Sequence, residues 1–554
     1  MTTPVFLTAA RPFGGSLAAV ALALELAACQ GCRSPASTPL PVASSAPSDA
    51  GSPTLRLYLL TDVAGALEPC GCTKDQLGGL DHFGAWLRHD HTNAPASLVA
   101  SAGPLFFMDE QLGGERADQD RIKAETIARV LRSLDFVAMA PGVNDWAEGE
   151  AGLSRLATMS GAVVLSDPSR TAPPFASVVV REIGGLRVGF VGAAAGPAGP
   201  HPSGSPSTAQ ESVRRGVDEA VRQGANVLVA LAAVGRGEAK RIADKMPELT
   251  AIVVGSQKAT GDANTAAPQA EQVGDVLIVQ ASNHLQSVAV VELFVREPVA
   301  AGHLLKFVDG TGLELERKRE EVTRRIDDLH VRLSAWERDP SIAPADVAAR
   351  KRELVALHGE RDALDARPPP AKGSFFRYTL KEIRESLGRD PSIDAELSGY
   401  YRAVNDHNRV AFADRLPRPA APDQPTYIGI DACTNCHPAA RSVWNGTAHA
   451  RAYATLTTQY KEFNLECVGC HVTGYDRPGG STVTHVAGLE NVECEVCHGP
   501  GSAHALNPVD KRRIIGKPEP AMCFACHHPP HVEQFDAVAR MKAVLGPGHG
   551  MPSK

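Results

Sequence analysis

A chain of 554 residues with a net charge of -7 is long enough for several hydrophobic cores, and too acidic for nucleic acid to be its main partner. Aromatic residues make up only 5%, whereas Gly and Pro number 50 and 41, so much of the mass is expected in loops and small-residue packing.

Residues 1–29 have the pattern of a secretion signal. Arg11 is the only early positive charge, and the apolar run from Leu17 to Ala28 that follows is too short to cross a bilayer. The run ends Leu26-Ala27-Ala28-Cys29, which resembles the lipobox of bacterial lipoproteins. That resemblance implies a lipid anchor on Cys29, a membrane as partner and a periplasmic or cell-envelope location; an ordinary signal peptide is the alternative. Residues 30–53 are mostly Ser, Pro, Ala and Thr, a composition that cannot bury a core and suits a disordered tether.

From 54 to 297, short apolar runs alternate with amphipathic segments. Strands are expected at Leu55 to Thr61, Ser97 to Ser101, Phe136 to Ala140, Ala162 to Leu165, Ser177 to Arg181, Leu186 to Val191, Asn226 to Leu231, Thr250 to Val254, Val276 to Gln280 and Ser287 to Phe294. Helices fit at Asp118 to Asp135 and Gln210 to Gln223, so the alternation predicts an α/β architecture with a largely buried sheet. Leu57-Tyr58-Leu59-Leu60-Thr61-Asp62 and Pro141-Gly142-Val143-Asn144-Asp145 resemble the first strand and the Gly-Asn-His-Asp turn of calcineurin-like metallophosphatases, in particular the periplasmic 5'-nucleotidase branch. The resemblance implies a two-metal phosphoesterase scaffold, but the metal ligands are largely absent. Asp62-Val63-Ala64 lacks the histidine of Asp-x-His, Gly103-Pro104 replaces Gly-Asp, Ala233 stands for a histidine, and Gly255-Ser256-Gln257 replaces Gly-His-x-His. Asp62 and Asn144 alone cannot hold two ions, so the expectation is a retained scaffold without that activity. In the loop after the first strand lies Cys70-Gly71-Cys72. This pair could be a disulfide, a redox dithiol or a chelate for an additional soft metal.

Leu315, Val322, Ile326, Leu329, Leu333 and Trp336 recur at heptad spacing, and Val347, Leu354, Leu357 and Leu364 resume it after Pro344. Residues 310–367 are therefore read as an antiparallel coiled-coil hairpin, a connector or a dimerisation arm for a homo-oligomer. A helical linker is expected over 372–415, ended by the Pro-rich stretch from Pro417 to Pro425.

The strongest signal lies in the final segment, 426–554. Cys-x-x-Cys-His occurs there four times, at Cys433, Cys436 and His437; Cys467, Cys470 and His471; Cys494, Cys497 and His498; and Cys523, Cys526 and His527. With 12 Cys and 19 His in the chain, chance would give this pattern about 0.01 times, so four copies require a cause. Two thiols three positions apart can form thioethers to one porphyrin, and the following histidine then lies under the iron. Zinc ribbons also pair Cys-x-x-Cys units, but zinc does not require a histidine after each. The segment starting at Tyr427, with Trp444-Asn445-Gly446-Thr447-Ala448-His449 and Val492-Glu493-Cys494-Glu495-Val496-Cys497-His498, resembles the tetrahaem cytochrome c554 family. That resemblance implies a mostly helical domain with four c-type haems and distal ligands at His449 and His504. His549 and His531 are the next candidates, and His485 and His528 are read as surface or supporting residues.

The expected fold class is thus multidomain: an α/β metallophosphatase-like sandwich, a helical coiled-coil hairpin and a mostly α multihaem cytochrome c domain. The leading functional expectation is electron transfer with other redox proteins, quinol-linked or periplasmic cytochromes, as partners. The alternatives are an oxidoreductase acting on a small nitrogen or sulfur compound at an open haem or at Cys70 and Cys72, and, third, a phosphoester hydrolase.

Overall fold

The computed structural model describes residues 51–550 apart from 70–74, 95, 167–171, 197–207, 260, 262, 301, 340, 365–369, 371, 529, 530, 533 and 534. The expected leader with Cys29, most of the tether, and Cys70 and Cys72 lie outside the described residues.

Side-chain alternation in β1 (Leu55–Thr61) explains the layering. Leu55, Leu57 and Leu59 enter one core and Tyr58 and Leu60 another, all buried. A strand buried on both faces needs a covering layer on each side. The first sheet contains β1, β2 (Ser97–Ala102), β3 (Phe136–Ala140), β4 (Val163–Leu165) and β5 (Phe175–Ala176), successively parallel. The second is formed by β6 (Val178–Ile183), β7 (Leu186–Ala193), β8 (Val227–Ala233), β9 (Ala251–Gly255), β10 (Glu271–Val273) and β11 (Val276–Val279), in the order β10-β11-β9-β8-β7-β6. β12 (Ser287–Phe294) returns to the first sheet antiparallel to β1.

The two sheets face each other across a shared core in which Leu57 and Leu59 join Val188, Phe190, Val229 and Val253. The outer face of the first sheet is covered by α1 (Leu80–His91), α2 (Ala117–Arg132) and α3 (Gly149–Ser160). The outer face of the second is covered by α4 (Ala209–Arg222) and α5 (Arg236–Lys245). At the ends of the central strands the sheets approach so closely that a Cβ on Gly255 would lie 2.2 Å from the Ala102 carbonyl carbon, which only glycine permits.

Two expectations are corrected beyond residue 297. The segment read as a helical linker over 372–415 begins with β14 (Phe375–Glu382), which pairs antiparallel with β12 from Phe294↔Phe375 to Ser287↔Glu382. β13 (Val308–Asp309) adds to β14, completing the order β13-β14-β12-β1-β2-β3-β4-β5. The helices α6 (Leu313–Trp336) and α7 (Pro344–Ala363) do pack along Val322, Ile326, Leu329, Leu333 and Leu357. They are an insertion between two strands of the first sheet and not a connector that follows the domain. The helix after β14, α8 (Pro391–Ala411), is also part of the α/β domain: Ile393, Leu397, Tyr400 and Val404 are buried in the same core as Phe83 and Ile127.

Beyond residue 426 the secondary structure is short helices, among them α9 (Ile430–Thr434), α10 (Pro438–Asn445), α11 (Ala452–Thr457), α12 (Val468–His471) and α13 (Cys494–His498). Among the described residues there, Val468, Val472 and Val483 form a small buried apolar cluster, and Ile430, Leu456, Leu489, Val532 and Ala537 are also buried. That is too little for a segment of this size to fold on apolar packing alone. Among the described residues no helix is long and apolar enough to cross a membrane.

Candidate haem-binding sites

Each Cys-x-x-Cys-His occupies about one helical turn. The His437 N–H donates to the Cys433 carbonyl at 2.9 Å and the His527 N–H to that of Cys523 at 2.9 Å. Such a turn places residues i, i+3 and i+4 on one side, so both thiols and the histidine converge. None of the eight motif thiols is tied up in a disulfide, as thioether formation requires.

The structure sets three of the motif histidines opposite another histidine. Ring centroids are 6.4 Å apart for His437 and His504, 6.2 Å for His449 and His527, and 6.3 Å for His498 and His549. An iron between two imidazoles, each bound at about 2.0 Å, sets the centroids about 6 Å apart. The gaps therefore match the space that one iron needs, and the residues present fit c-type haem. Burial, and next the field of the facing His527, lowers the pKa of His449, which keeps that ring neutral and its lone pair available. The His498 Nδ1–H donates to the Ile515 carbonyl at 2.7 Å, and the His471 Nδ1–H donates to that of Ala452 at 2.6 Å. Each bond fixes the tautomer with Nε2 free for metal.

The remaining candidate, His531, lies elsewhere: its ring packs on His528 at 5.3 Å. Among the described rings, none faces His471 at the separation seen in the three pairs. Thiol contacts give the spatial order of the motifs. The Cys433 thiol perturbs that of Cys494 and the Cys470 thiol that of Cys526, which places each pair side by side, and burial with the nearby Cys523 raises the pKa of Cys497. The first motif thus adjoins the third, the third the fourth, and the fourth the second.

Two carboxylates missed in the sequence hold the first motif to the third. Glu495 accepts from the N–H groups of Ile428 (3.0 Å), Gly429 (2.8 Å) and Gly501 (2.6 Å), and Glu493 accepts from that of Ile430 (3.0 Å). Burial pushes the Glu493 carboxyl up to about 8 despite that bond. The signal available was two acids flanking Cys494, a place where a solvated residue would have served as well.

In the α/β domain the positions that resemble a metallophosphatase centre are occupied by internal hydrogen bonds. Asp62 Oδ1 accepts from the Ser256 N–H at 2.7 Å and Oδ2 from its hydroxyl at 3.1 Å, and burial raises this carboxyl to about 6. Asn144 donates to the Met108 carbonyl at 2.5 Å and accepts from the Ala259 N–H at 3.0 Å. Asp145, fully buried, accepts from the N–H groups of Leu105 (2.9 Å), Phe106 (2.8 Å) and Gly142 (3.0 Å). Among the described residues no group of three or more His, Cys, Asp or Glu is placed to hold a metal ion.

Described residues on either side of Cys70 and Cys72 touch the segment that carries the Cys-x-x-Cys-His motifs. Glu68 accepts from Lys461 Nζ at 2.8 Å, and Gln76 Nε2 donates to the His531 carbonyl at 3.3 Å.

Residues 432–499 match the family model for cytochrome c554 and c-prime. Cytochrome c-554 of Nitrosomonas europaea is 36% identical over 97 residues, which are 15% of this chain and 41% of that protein. The chain thus spans about two fifths of the length of this curated relative. Among solved structures, a 5'-nucleotidase precursor from Thermus thermophilus is 17% identical with a TM-score of 0.41, covering 76% of this chain and 69% of its own. The sulfate thiohydrolase SoxB from the same species is 16% identical with a TM-score of 0.36, covering 44% and 54%. The segment 432–499 is therefore of the cytochrome c554 and c-prime type, a family whose cofactor is c-type haem, and it is joined in one chain to a two-sheet α/β domain.

Proposed function

We propose that this protein is an electron-transfer protein of the bacterial cell envelope that carries four c-type haems, one at each Cys-x-x-Cys-His motif. The observation that supports this reading best is the set of three histidine pairs, each containing one motif histidine and each spaced for one iron. In this reading Cys433 and Cys436, Cys467 and Cys470, Cys494 and Cys497, and Cys523 and Cys526 anchor the porphyrins. His437, His471, His498 and His527 are the proximal ligands, and His504, His549 and His449 are distal to the first, third and fourth. When bound, c-type haem supplies a one-electron iron couple. The chain's part would be to hold the two histidines of each facing pair in place, so that little rearrangement accompanies a change of charge. Other redox proteins are the partners, and a lipid on Cys29 would keep the chain at a membrane surface.

A second reading follows from His471, which no described histidine ring faces. An iron there would keep a position open to a small nitrogen or sulfur compound, giving an oxidoreductase whose other haems supply or remove electrons. A haem count per chain, with the spectrum of the reduced holoprotein before and after carbon monoxide, tests both readings. Four haems are expected, with one haem's share of the spectrum responding to carbon monoxide. Fewer than four would overturn the proposal, and no response would leave electron transfer alone standing.

A further inference from the structure

The approach to the second motif is held from outside the haem segment. Lys461, Glu462, Phe463, Asn464, Leu465 and Glu466, the six residues before Cys467, each hydrogen-bond a side chain of the α/β domain. Lys461 donates to Glu68 at 2.8 Å, and Glu462 accepts from Asn405 on α8 at 3.0 Å. Phe463 donates to Asn405 Oδ1 at 3.2 Å, and its carbonyl accepts from Asn408 at 2.8 Å. Gln119 on α2 donates to Asn464 Oδ1 at 3.2 Å and accepts from the Leu465 N–H at 3.0 Å. Lys123 Nζ donates to Glu466 Oε1 at 2.6 Å. The Asn464 carbonyl in turn accepts from the N–H groups of Cys467 (3.0 Å) and Val468 (2.9 Å), so the chain of bonds runs from α2 and α8 into the first turn of the motif. The first motif, by contrast, is held by Glu493 and Glu495 of its own segment.

Charge is balanced at the same contact. Lys123 and Glu466 have side chains 14% and 34% exposed, and Glu466 is the immediate neighbour of a haem-anchoring cysteine. Arg116 and Asp120 flank the pair, with Arg116 Nη2 3.8 Å from Glu466 and 3.5 Å from Asp120. Arg116 Nη2 is also 3.5 Å from Asp109, whose side chain is 60% exposed; among the less exposed members two cations face two anions, and loss of Lys123 leaves an excess negative charge in a poorly solvated place.

We propose that the α/β domain serves as a clamp and charge modulator of the second haem site, with Lys123 and Gln119 as positioning residues that set the reduction equilibrium of the haem anchored at Cys467 and Cys470. This rests on the reading of the four motifs as haem sites. A reduced haem carries one negative charge more than an oxidised one. A cation nearby therefore favours reduction, and an unpaired anion opposes it.

The test is a spectroelectrochemical titration of the full-length holoprotein, wild type against Lys123→Met, Lys123→Arg and the double variant Lys123→Met with Glu466→Gln, with haem content measured on each. Lys123→Met should lower the reduction equilibrium constant of one haem about tenfold, ~59 mV for one electron, and leave the other three in place. Lys123→Arg, which keeps the charge, and the double variant, which restores neutrality, should both return within about threefold of wild type, near half that shift. A uniform shift of all four haems, no shift, or a double variant displaced as far as Lys123→Met would overturn the proposal while the haem count stands at four. A wild-type count below four would overturn the underlying reading instead.

Discussion

The Asp145 carboxylate allows a quantitative test of whether the residues that resemble a phosphatase turn are now structural. Its two oxygens accept three buried backbone N–H bonds, two on Oδ1 from Leu105 and Phe106 and one on Oδ2 from Gly142. Asp145→Ala strands all three donors, and each unsatisfied buried group costs about 1–3 kcal/mol. A water entering the space left by the carboxylate recovers part of this, so the expected loss is about 3–6 kcal/mol. Asp145→Asn keeps an oxygen for the two donors on Oδ1 and turns an amide N–H toward Gly142, losing one bond for about 1–2 kcal/mol. The measurement is urea unfolding of the holoprotein by far-ultraviolet circular dichroism at pH 8, with haem absorbance reporting the cytochrome segment separately. At that pH Asp145, raised by burial to about 7, is ionised, and both variants equally remove the cost of burying that charge; the bond costs are therefore read as the difference between the two, with Ala below Asn by about 2–4 kcal/mol. Equal stabilities for the Ala and Asn variants would refute the reasoning; so would unchanged hydrogen exchange at the Leu105, Phe106 and Gly142 amides in the Ala variant.

Three further outcomes are expected. Asp62 is raised from 3.8 to about 6, so the folded state binds its proton more tightly than the unfolded chain; its contribution is full below about pH 4 and lost as pH rises through 6. Asp62→Asn, which mimics the protonated form, should therefore gain on wild type across that window by ~3 kcal/mol, and a pH-independent difference in urea midpoint would contradict this. Replacing residues 314–372 with a flexible linker of about ten residues, enough for a parallel crossover, should preserve haem content and the β12–β14 pairing, because the hairpin's seam is a cluster of its own; loss of the α/β unfolding transition would show otherwise. Ala substitutions of His449, His504 and His549 should each open one more haem to carbon monoxide, whereas His531→Ala should open none, as difference spectra would show.

The parts legible in the sequence were those with a local cause. Covalent haem attachment demands two thiols and a histidine within one turn, so the four motifs stood out unaided, and the heptad of Leu329 and Leu333 marked α6 for the same reason. β14 was not legible because its reason for being a strand is β12, paired from Phe294↔Phe375 onward, with the whole hairpin intervening. Nor was α8 recognisable as a domain element, since Tyr400 and Val404 look like any amphipathic stripe until Phe83 and Ile127 are found beside them. The facing histidines had a partial signal in the motifs around His449 and His504. His549 and His531 were indistinguishable by sequence, because the pairing with His498 is a tertiary fact.

The two unusual features of the second motif have one physical explanation under the proposed ligation. An iron bound by two histidines is a cross-link between distant parts of the chain, and in the first, third and fourth sites that link ties the motif to His504, His549 and His449. The second site, with no described ring opposite His471, lacks that restraint. The hydrogen bonds from Gln119, Lys123, Asn405 and Asn408 supply a substitute from the neighbouring domain. A five-coordinate site can then be held rigidly without closing its open position, which gives a physical reason for the α/β domain to share a chain with the haems.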